Sequence, residues 1–469
     1  MKRSELVFIP APGIGHLIST LEFANRLIDR HDRLSVTVLC MKFPIAPYAD
    51  AYTKSLVGSQ SRITLIDLPQ VDPPLPERLR SPEHYIYVYI ESLNPHVRNA
   101  LSDIVLSRSN SGSIQVAGLV LDFFCMPMMD VANEFDLPCY MFLTSNLGFL
   151  GLMLYIPSRH EQISCEFKDS DPDMILPGFV SPVPANVLPS PVFNKDGGYT
   201  AYVKLAQRFR ETKGIIVNSF TELESNALNS LADDQTPPIY LVGPVLDLKG
   251  QAHPSLDQIQ RERIMKWLDE QPPLSVVFLC FGSMGGFGES QLREITSGLE
   301  RSVHRFVWSI RVPQPKGLEE ILPEGFLERI GGKGLICNGW APQVEVLAHR
   351  ATGGFVSHCG WNSILESLWY GVPIATWPIY AEQQMNAFRM VREFGLAVEL
   401  RLDFRNGDLV MADEIETAVT RLMEGDSELR KKVKEMSEMA RKAVAEGGSS
   451  FTAVGKFVND IPLVSSCDS

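Results

Sequence analysis

The sequence predicts an α/β protein made of two doubly wound domains, each a parallel sheet covered by helices. Three observations point there. A chain of 469 residues is too long for one ordinary core. Short apolar runs of strand length alternate with helix-length segments, the pattern of parallel strands buried on both faces. That alternation halts in a stretch of linker composition, GPVLDLKGQAHP, and then begins again. The expected division is a first domain over 1–243, a linker over 244–260, a second domain over 261–446 and a final helical segment over 447–469.

In the first half, residues 6–10 read as a buried strand, followed by a loop and a helix over 17–30. Strands follow at 34–40, where Val36 and Val38 alternate, and at 63–66. The apolar run 116–121 is another strand, ending at Asp122. Residues 137–158 carry no charge, so a membrane span has to be weighed. Pro138, Thr144, Ser145, Asn146, Gly148 and Gly151 interrupt it, and it reads as a buried strand and a core helix. The Pro- and Gly-rich stretch 176–198 is expected to be irregular and close to a binding cleft. Strands at 214–218 and 239–242 close this half.

The second half opens with a helix carrying Trp267, a strand over 276–281, the loop GSMGGFGES and a helix from Gln291. Strands at 306–310, 334–337 and 354–357 follow, the last leading through a glycine turn into a helix that opens near Asn362. Residues 427–445 form a charged amphipathic helix, which Gly447 and Gly448 break before a last helix around 452–460. No short-period repeat is visible, which excludes solenoids.

Several function classes fall away. The net charge of −13 disfavours nucleic acid or an anionic membrane as partner. A dinucleotide fold is not supported: Gly13 and Gly15 offer the first two glycines of the fingerprint, but Ile18 stands at the third. The second strand also ends in Leu39-Cys40, with no acid to hold a ribose. GSMGGFG lacks the GK[ST] of a triphosphate loop. No metal is expected, because no HxxxH, DxD-like metal pair or Cys/His cluster accompanies the candidate site described below. The eight cysteines are scattered without a CxxC pair, as in a reducing compartment. The N-terminus makes a poor signal peptide, since its apolar stretch is short and broken by two prolines. A cytoplasmic protein without integral membrane association is expected, and a self-contained monomer.

The stretch from Trp340 to Gln383 carries the most chemistry. The strand, glycine turn and helix of GGFVSHCGWNSILESL end in a helix N-terminus, whose unpaired N–H groups and dipole suit a phosphate. His358, Asn362 and Ser363 add donors at that point. Glu366, one turn on, can accept from the two hydroxyls of a ribose, and Trp340 offers a flat face to a base. Because the chain is acidic, an anionic ligand must be held by such local groups. Cys359 beside this turn reads as a packing residue.

This stretch resembles the signature box of the plant family-1 UDP-glycosyltransferases, and it matches from its first Trp to its last Gln without a gap. The resemblance implies a GT-B fold, in which two Rossmann-like domains face each other and the last helix crosses back onto the first. It implies UDP-glucose as co-substrate, with no cofactor. Trp340 would stack on uracil, with Ala341 and Gln343 helping to fix the nucleotide. Glu366 would hold the ribose, and Ser283, His358, Asn362 and Ser363 the diphosphate. Trp361, Glu382, Gln383 and, in FLTSN, Thr144 would face the sugar. Gln383 accompanies glucose donors in the family, and Trp361 in place of an Arg argues against glucuronic acid. Gly15 stands where some relatives carry a hydroxyl residue that contacts the donor.

Transfer of a sugar to a hydroxyl requires a base for the acceptor proton, and histidine serves near neutral pH. His16 follows the first strand, where loops line the crevice of an open α/β sheet. Asp122 ends another core strand and could orient the imidazole, as in a Ser–His–Asp site without its serine. The same Asp122 would also serve as the N-cap of a helix at Phe123. PAPGIGHL and LVLDFFC match the family's pattern, and the resemblance assigns His16 and Asp122 as the catalytic dyad.

The apolar residues Tyr85, Phe123, Phe124, Met126 and Phe149, with Leu150 and Met153, suggest a pocket for a bulky hydrophobic acceptor bearing a hydroxyl. Each of them is individually as compatible with an ordinary core. FNKDGGY, KGIIVNSF and WLDEQP look like a subgroup acting on flavonoids, other phenolics and triterpenes. The expected activity is inverting transfer of glucose to such a hydroxyl. A non-catalytic UDP-sugar sensor, or transfer to nitrogen, sulfur or carboxylate, remains open at this stage.

Overall fold

The computed structural model describes residues 3–42, 62–74, 81–111, 113–249, 257–282, 285–311, 317–405 and 407–463. The chain forms two compact units. The first comprises Met1–Pro182, Pro191–Asp247 and Lys442–Ser469, and the second Val183–Ser190 and Leu248–Arg441.

The first unit contains β1 (Arg3–Ile9), β2 (Leu34–Cys40), β3 (Ile63–Asp67), β4 (Ile114–Asp122), β5 (Cys139–Leu143), β6 (Ile215–Val217) and β7 (Ile239–Leu241). They make one parallel sheet in the order β3-β2-β1-β4-β5-β6-β7. Leu6, Phe8, Val36, Val38, Val120 and Phe142 belong to its core. The strand order reverses between β1 and β4, where Ile9 pairs with Leu121. The strand ends at such a reversal open a crevice that suits a ligand.

β1 starts earlier than its hydropathy predicts. Ser4 and Glu5 are buried polar residues within the strand. Glu5 accepts from Thr37 Oγ1 at 2.6 Å and pairs with Arg108 Nε at 2.7 Å, so its burial is compensated. The helix after β1 also starts earlier, running from Ile14 to Arg30 behind Gly13. His16 therefore lies in the first turn of a helix and not in the loop that the sequence suggests.

The uncharged stretch resolves into β5 and the helix Leu147–Ile163, most of which is buried. Among the described residues no helix is long and apolar enough to cross a membrane. The stretch 176–198 is irregular as expected, with short 3₁₀ turns at Ala185–Val187 and Ser190–Phe193. Gly243 to Asp247 has linker composition yet packs into the first unit. Val245 N donates to Asn218 Oδ1 at 2.7 Å, and Asn218 Nδ2 returns a bond to Val245 O at 3.2 Å. Val245 and Leu246 are buried apolar residues, which a free linker would leave in water.

The last helix, Ser449–Asp460, belongs to the first unit. Its Phe457 ring lies 5.1 Å from Tyr140 and 5.4 Å from Tyr240. Tyr240 donates to Asp460 at 2.7 Å, and Arg30 stacks over Phe451 while donating to its carbonyl at 2.6 Å.

The second unit contains β8 (Val276–Cys280), β9 (Arg305–Ile310), β10 (Gly334–Asn338), β11 (Thr352–Ser357), β12 (Ile374–Thr376) and β13 (Ala397–Glu399). They form a parallel sheet in the order β10-β9-β8-β11-β12-β13. Val277, Leu279, Trp308, Val356 and Ala375 are among its core residues. Here the order reverses between β8 and β11, where Cys280 pairs with Ser357. The charged helix runs from Glu428 to Val444, close to the sequence reading.

Candidate active site

In the first unit, the ends of β1, β4 and β5 bring three polar side chains together. Asp122 closes β4 with its side chain wholly buried, and its Oδ2 lies 2.7 Å from His16 Nδ1. Its other oxygen accepts from Phe124 N at 3.0 Å, capping the turn Phe123–Met128. Asp122 thus contacts the imidazole with one carboxylate oxygen and caps the turn with the other. Thr144, just past β5, places Oγ1 3.0 Å from the same Nδ1. An ionised carboxylate only accepts, so it favours the tautomer with hydrogen on Nδ1 and a lone pair on Nε2. His16 keeps partial exposure, and its ring lies 5.9 Å from Phe123 and 5.8 Å from Phe124. A partly exposed imidazole whose hydrogen sits on Nδ1 can take a proton at Nε2.

Of the expected acceptor pocket, Phe124 keeps a partly exposed surface, while Tyr85 and Phe123 are nearly covered. Met126 and Phe149 have essentially no accessible surface, like Leu150 and Met153. Phe149 packs edge-on against Phe123 at 5.5 Å. These enclosed side chains present no face to a ligand as they stand. Their place in a buried strand-to-helix segment, which the apolar pattern could not distinguish from a pocket lining, explains the difference.

In the second unit, β11 runs through His358, Cys359 and Gly360 into the helix Trp361–Tyr370, which no side chain caps. Cys359 takes φ of +62°, and its amide donates to Ser357 Oγ at 3.1 Å while its carbonyl accepts from Asn386 Nδ2 at 3.0 Å. Its role is packing and turn geometry. His358 is held between two glycines: a Cβ on Gly282 would stand 2.5 Å from its Nε2, and one on Gly360 2.6 Å. Gly282 also has φ of +72°, a region that favours glycine. Burial pushes the His358 imidazole down to about 4, with the Arg311 cation acting in the same direction against a hydrogen bond to Cys280. It is therefore neutral at physiological pH, and its buried Nδ1 has no partner among the described residues.

Gln343 joins two of the expected nucleotide residues. Its Nε2 donates to Ser363 Oγ at 2.8 Å and to Glu366 Oε2 at 2.7 Å. Trp340 is partly exposed, its carbonyl accepts from Gln260 Nε2 at 2.7 Å, and Ala341 beside it is buried. Asn362 is partly exposed in the helix opening. Gln383 is buried, with its amide oxygen accepting from both Ile379 N and Tyr380 N at 3.0 Å, so its NH₂ is directed elsewhere. Glu382 is partly exposed at the start of the helix Gln383–Phe388, whereas the Trp361 ring is enclosed. Ser283 lies outside the described residues.

One residue escaped the sequence reading. Arg311, directly after β9, holds its guanidinium 4.8 Å from the centre of the Trp340 ring. Its position at the carboxyl end of a parallel strand was the available signal.

Two Rossmann-like units, one with a strand-end His–Asp pair and the other with a capless helix N-terminus beside a Gln–Ser–Glu cluster, define a GT-B glycosyltransferase that uses a nucleotide-activated sugar. Residues 250–443 match the family model described as "UDP-glucoronosyl and UDP-glucosyl transferase". The chain is 58% identical to UDP-glycosyltransferase 71K1 of Malus domestica, across 98% of this chain and 99% of the relative. It is 50% identical to flavonol 3-O-glucosyltransferase UGT71C4 of Arabidopsis thaliana, across 98% of each chain. The crystal structure of Medicago truncatula UGT71G1 complexed with UDP-glucose superposes with a TM-score of 0.92 at 57% identity, covering 98% of each chain. This protein belongs to the UDP-glycosyltransferase family, and it is a UDP-sugar-dependent glycosyltransferase.

Proposed function

We propose that the protein transfers glucose from UDP-glucose to a hydroxyl of a hydrophobic small molecule, a flavonoid, another phenolic or a triterpene, in a single inverting displacement. The observation that carries this reading is the 2.7 Å contact between His16 Nδ1 and Asp122 Oδ2, which leaves Nε2 to act as base. His16 takes the acceptor proton, the acceptor oxygen attacks the anomeric carbon, and UDP leaves from the opposite face. Asp122 orients the ring and stabilises the imidazolium as it forms. The proton passes from acceptor to His16, and the bonding pair of the broken glycosidic bond departs with UDP.

On the donor side, Gln343, Ser363 and Glu366 form a connected polar set suited to the ribose and the adjoining phosphate. The helix opening at Trp361 and the neutral His358 meet the diphosphate charge without requiring a positive field. Ser283 is assigned to this set by the family resemblance alone. Trp361, Glu382 and Gln383 are assigned to the sugar, whereas the Thr144 hydroxyl lies against His16 Nδ1. The acceptor class is supported by the Phe123–Phe124 pair, whose centroids lie 4.0 Å apart, and by the flavonol named for the Arabidopsis relative. A cytoplasmic location is supported by seven free cysteines among the described residues.

Incubation with UDP-glucose and a panel of flavonoids, simple phenols and triterpenes, read by mass spectrometry, tests the proposal. A hexose adduct is expected, absent in His16→Ala. UDP-glucose binding without product across the whole panel would overturn the assignment of acceptor class and favour a sensor.

A further inference from the structure

We propose that Glu224 is a positioning residue for sugar transfer, acting through Thr144 on His16. The inference rests on His16 being the base. The His16 Nδ1 atom faces two oxygens, Asp122 Oδ2 at 2.7 Å and Thr144 Oγ1 at 3.0 Å. Two acceptors converging on one ring N–H fix the rotation of the imidazole, and with it the direction of Nε2. One acceptor leaves the ring free to swing about that bond. The Thr144 hydroxyl is thus placed to hold the base.

Thr144 stands in a three-residue turn between β5 and the helix Leu147–Ile163. Before the turn, the carbonyl of Leu143 accepts from Asn218 N at 3.0 Å. After it, Leu147 N donates to both oxygens of Glu224, at 3.0 and 3.3 Å, and Asn146 Oδ1 accepts from Phe149 N at 3.1 Å. Glu224 is buried, and it departs from helical dihedrals (φ −126°, ψ 29°) inside the helix Thr221–Ser230. Its carboxylate sits at the positive end of the 17-residue helix that follows the turn. A buried carboxylate remote in sequence therefore clamps the turn that presents Thr144 to His16.

The assignment differs from a sugar contact by Thr144, and the two can be separated. Steady-state kinetics with UDP-glucose would compare the wild type with Thr144→Val, Thr144→Ser, Glu224→Gln and the Thr144→Val/Glu224→Gln double variant. Acceptors would be an acidic phenol and an aliphatic alcohol drawn from those the wild type turns over. Loss of one neutral hydrogen bond to the base corresponds to about a three- to tenfold fall in kcat. That fall is expected in Thr144→Val with the alcohol, is smaller with the phenol, which needs less help from a base, and is restored by Thr144→Ser. UDP-glucose affinity, read by calorimetry, is expected to stay constant. Glu224→Gln is expected to lower kcat in the wild-type background and to have no further effect in Thr144→Val.

A weaker affinity for UDP-glucose in Thr144→Val, with equal loss for both acceptors, would assign the hydroxyl to the sugar and overturn the proposal. The same Glu224→Gln loss in both backgrounds would reduce Glu224 to a structural cap. If Glu224→Gln does not fold, Glu224→Asp, which keeps the charge but shortens its reach to Leu147 N, takes its place in both Thr144 backgrounds. Full activity in His16→Ala would instead remove the underlying reading of the base, a distinct failure.

Discussion

The two units place their working residues at equivalent points of similar sheets but solve different problems there. In the first, the strand order reverses between β1 and β4, and the crevice is furnished with side chains: a histidine, a carboxylate and a hydroxyl within 3.0 Å of one ring nitrogen. In the second, the reversal lies between β8 and β11, and it is furnished with glycines, a capless helix end and a neutral buried histidine. Under the proposed function, one crevice moves a proton and the other receives a fixed negative charge. The first should fail through chemistry and the second through shape. That contrast is open to direct test.

The largest effect is expected in the first unit. His16→Ala is expected to lower kcat by on the order of 10²–10⁴, the usual yield of a general base. Asp122→Asn is expected to fall in the same range, because an amide can donate to Nδ1 and move the proton onto Nε2. Both should bind UDP-glucose as the wild type does by calorimetry. The loss in His16→Ala should be steeper for aliphatic alcohols than for phenols, which ionise near pH 10. Equal losses for the two classes would mean that His16 serves orientation more than proton transfer.

The next effect concerns acid stability and belongs to the second unit. The folded pKa of His358 is pushed down to about 4, whereas an unfolded histidine titrates near 6.5. Between those values the unfolded chain binds a proton that the folded chain refuses. Stability is therefore full above about pH 6.5 and is lost as pH falls towards 4, by about 3 kcal/mol for this residue. Burial lowers His31 and His304 too, which adds loss of the same sign. Denaturant melts from pH 7 to 4.5 should show the decline, and His358→Asn should flatten it. An unchanged slope in the variant would place the acid sensitivity elsewhere.

Gly282→Ala sharpens the comparison at smaller cost. The added methyl would stand 2.5 Å from His358 Nε2 at a backbone angle that disfavours alanine, so the imidazole must move. Strain of about 1–3 kcal/mol should appear as weaker UDP-glucose binding, about tenfold or more, with the acceptor dependence of kcat unchanged. A variant that bound normally but lost its preference for acidic acceptors would contradict the division of labour.

Much of this was legible in the chain because the relevant signals are local. Buried parallel strands show as apolar runs, and the turn after β11 carries its donors within one contiguous motif. The His16–Asp122 pair was readable because Asp122 closes one core strand and His16 follows another, although His16 proved to lie in a helical turn. Signals that depend on tertiary contact were not readable. Glu5 hides a strand residue behind a charge that only Thr37 and Arg108 make tolerable. β12 and β13 have three residues each, too few to show a period. Met126 and Phe149 look like pocket residues until their enclosure is seen. Arg311 gains meaning only beside Trp340.

The smallest expected effect tests whether the donor cluster is assembled in advance. Gln343 bridges Ser363 and Glu366 through a single NH₂ group, at 2.8 and 2.7 Å. If that bridge sets the Glu366 carboxylate for the ribose, Gln343→Ala should raise the KM for UDP-glucose by about three- to tenfold, the worth of a hydrogen bond or two. kcat should hold, because the bridge is made before any charge develops and stabilises ground and transition states alike. A Glu366→Gln variant should then show little further loss when Gln343 is already absent, since an unbridged carboxylate is no longer preset. Full additivity of the two losses would show instead that each residue meets the nucleotide independently. The second crevice would then be a set of separate contacts, in contrast to the coupled group around His16.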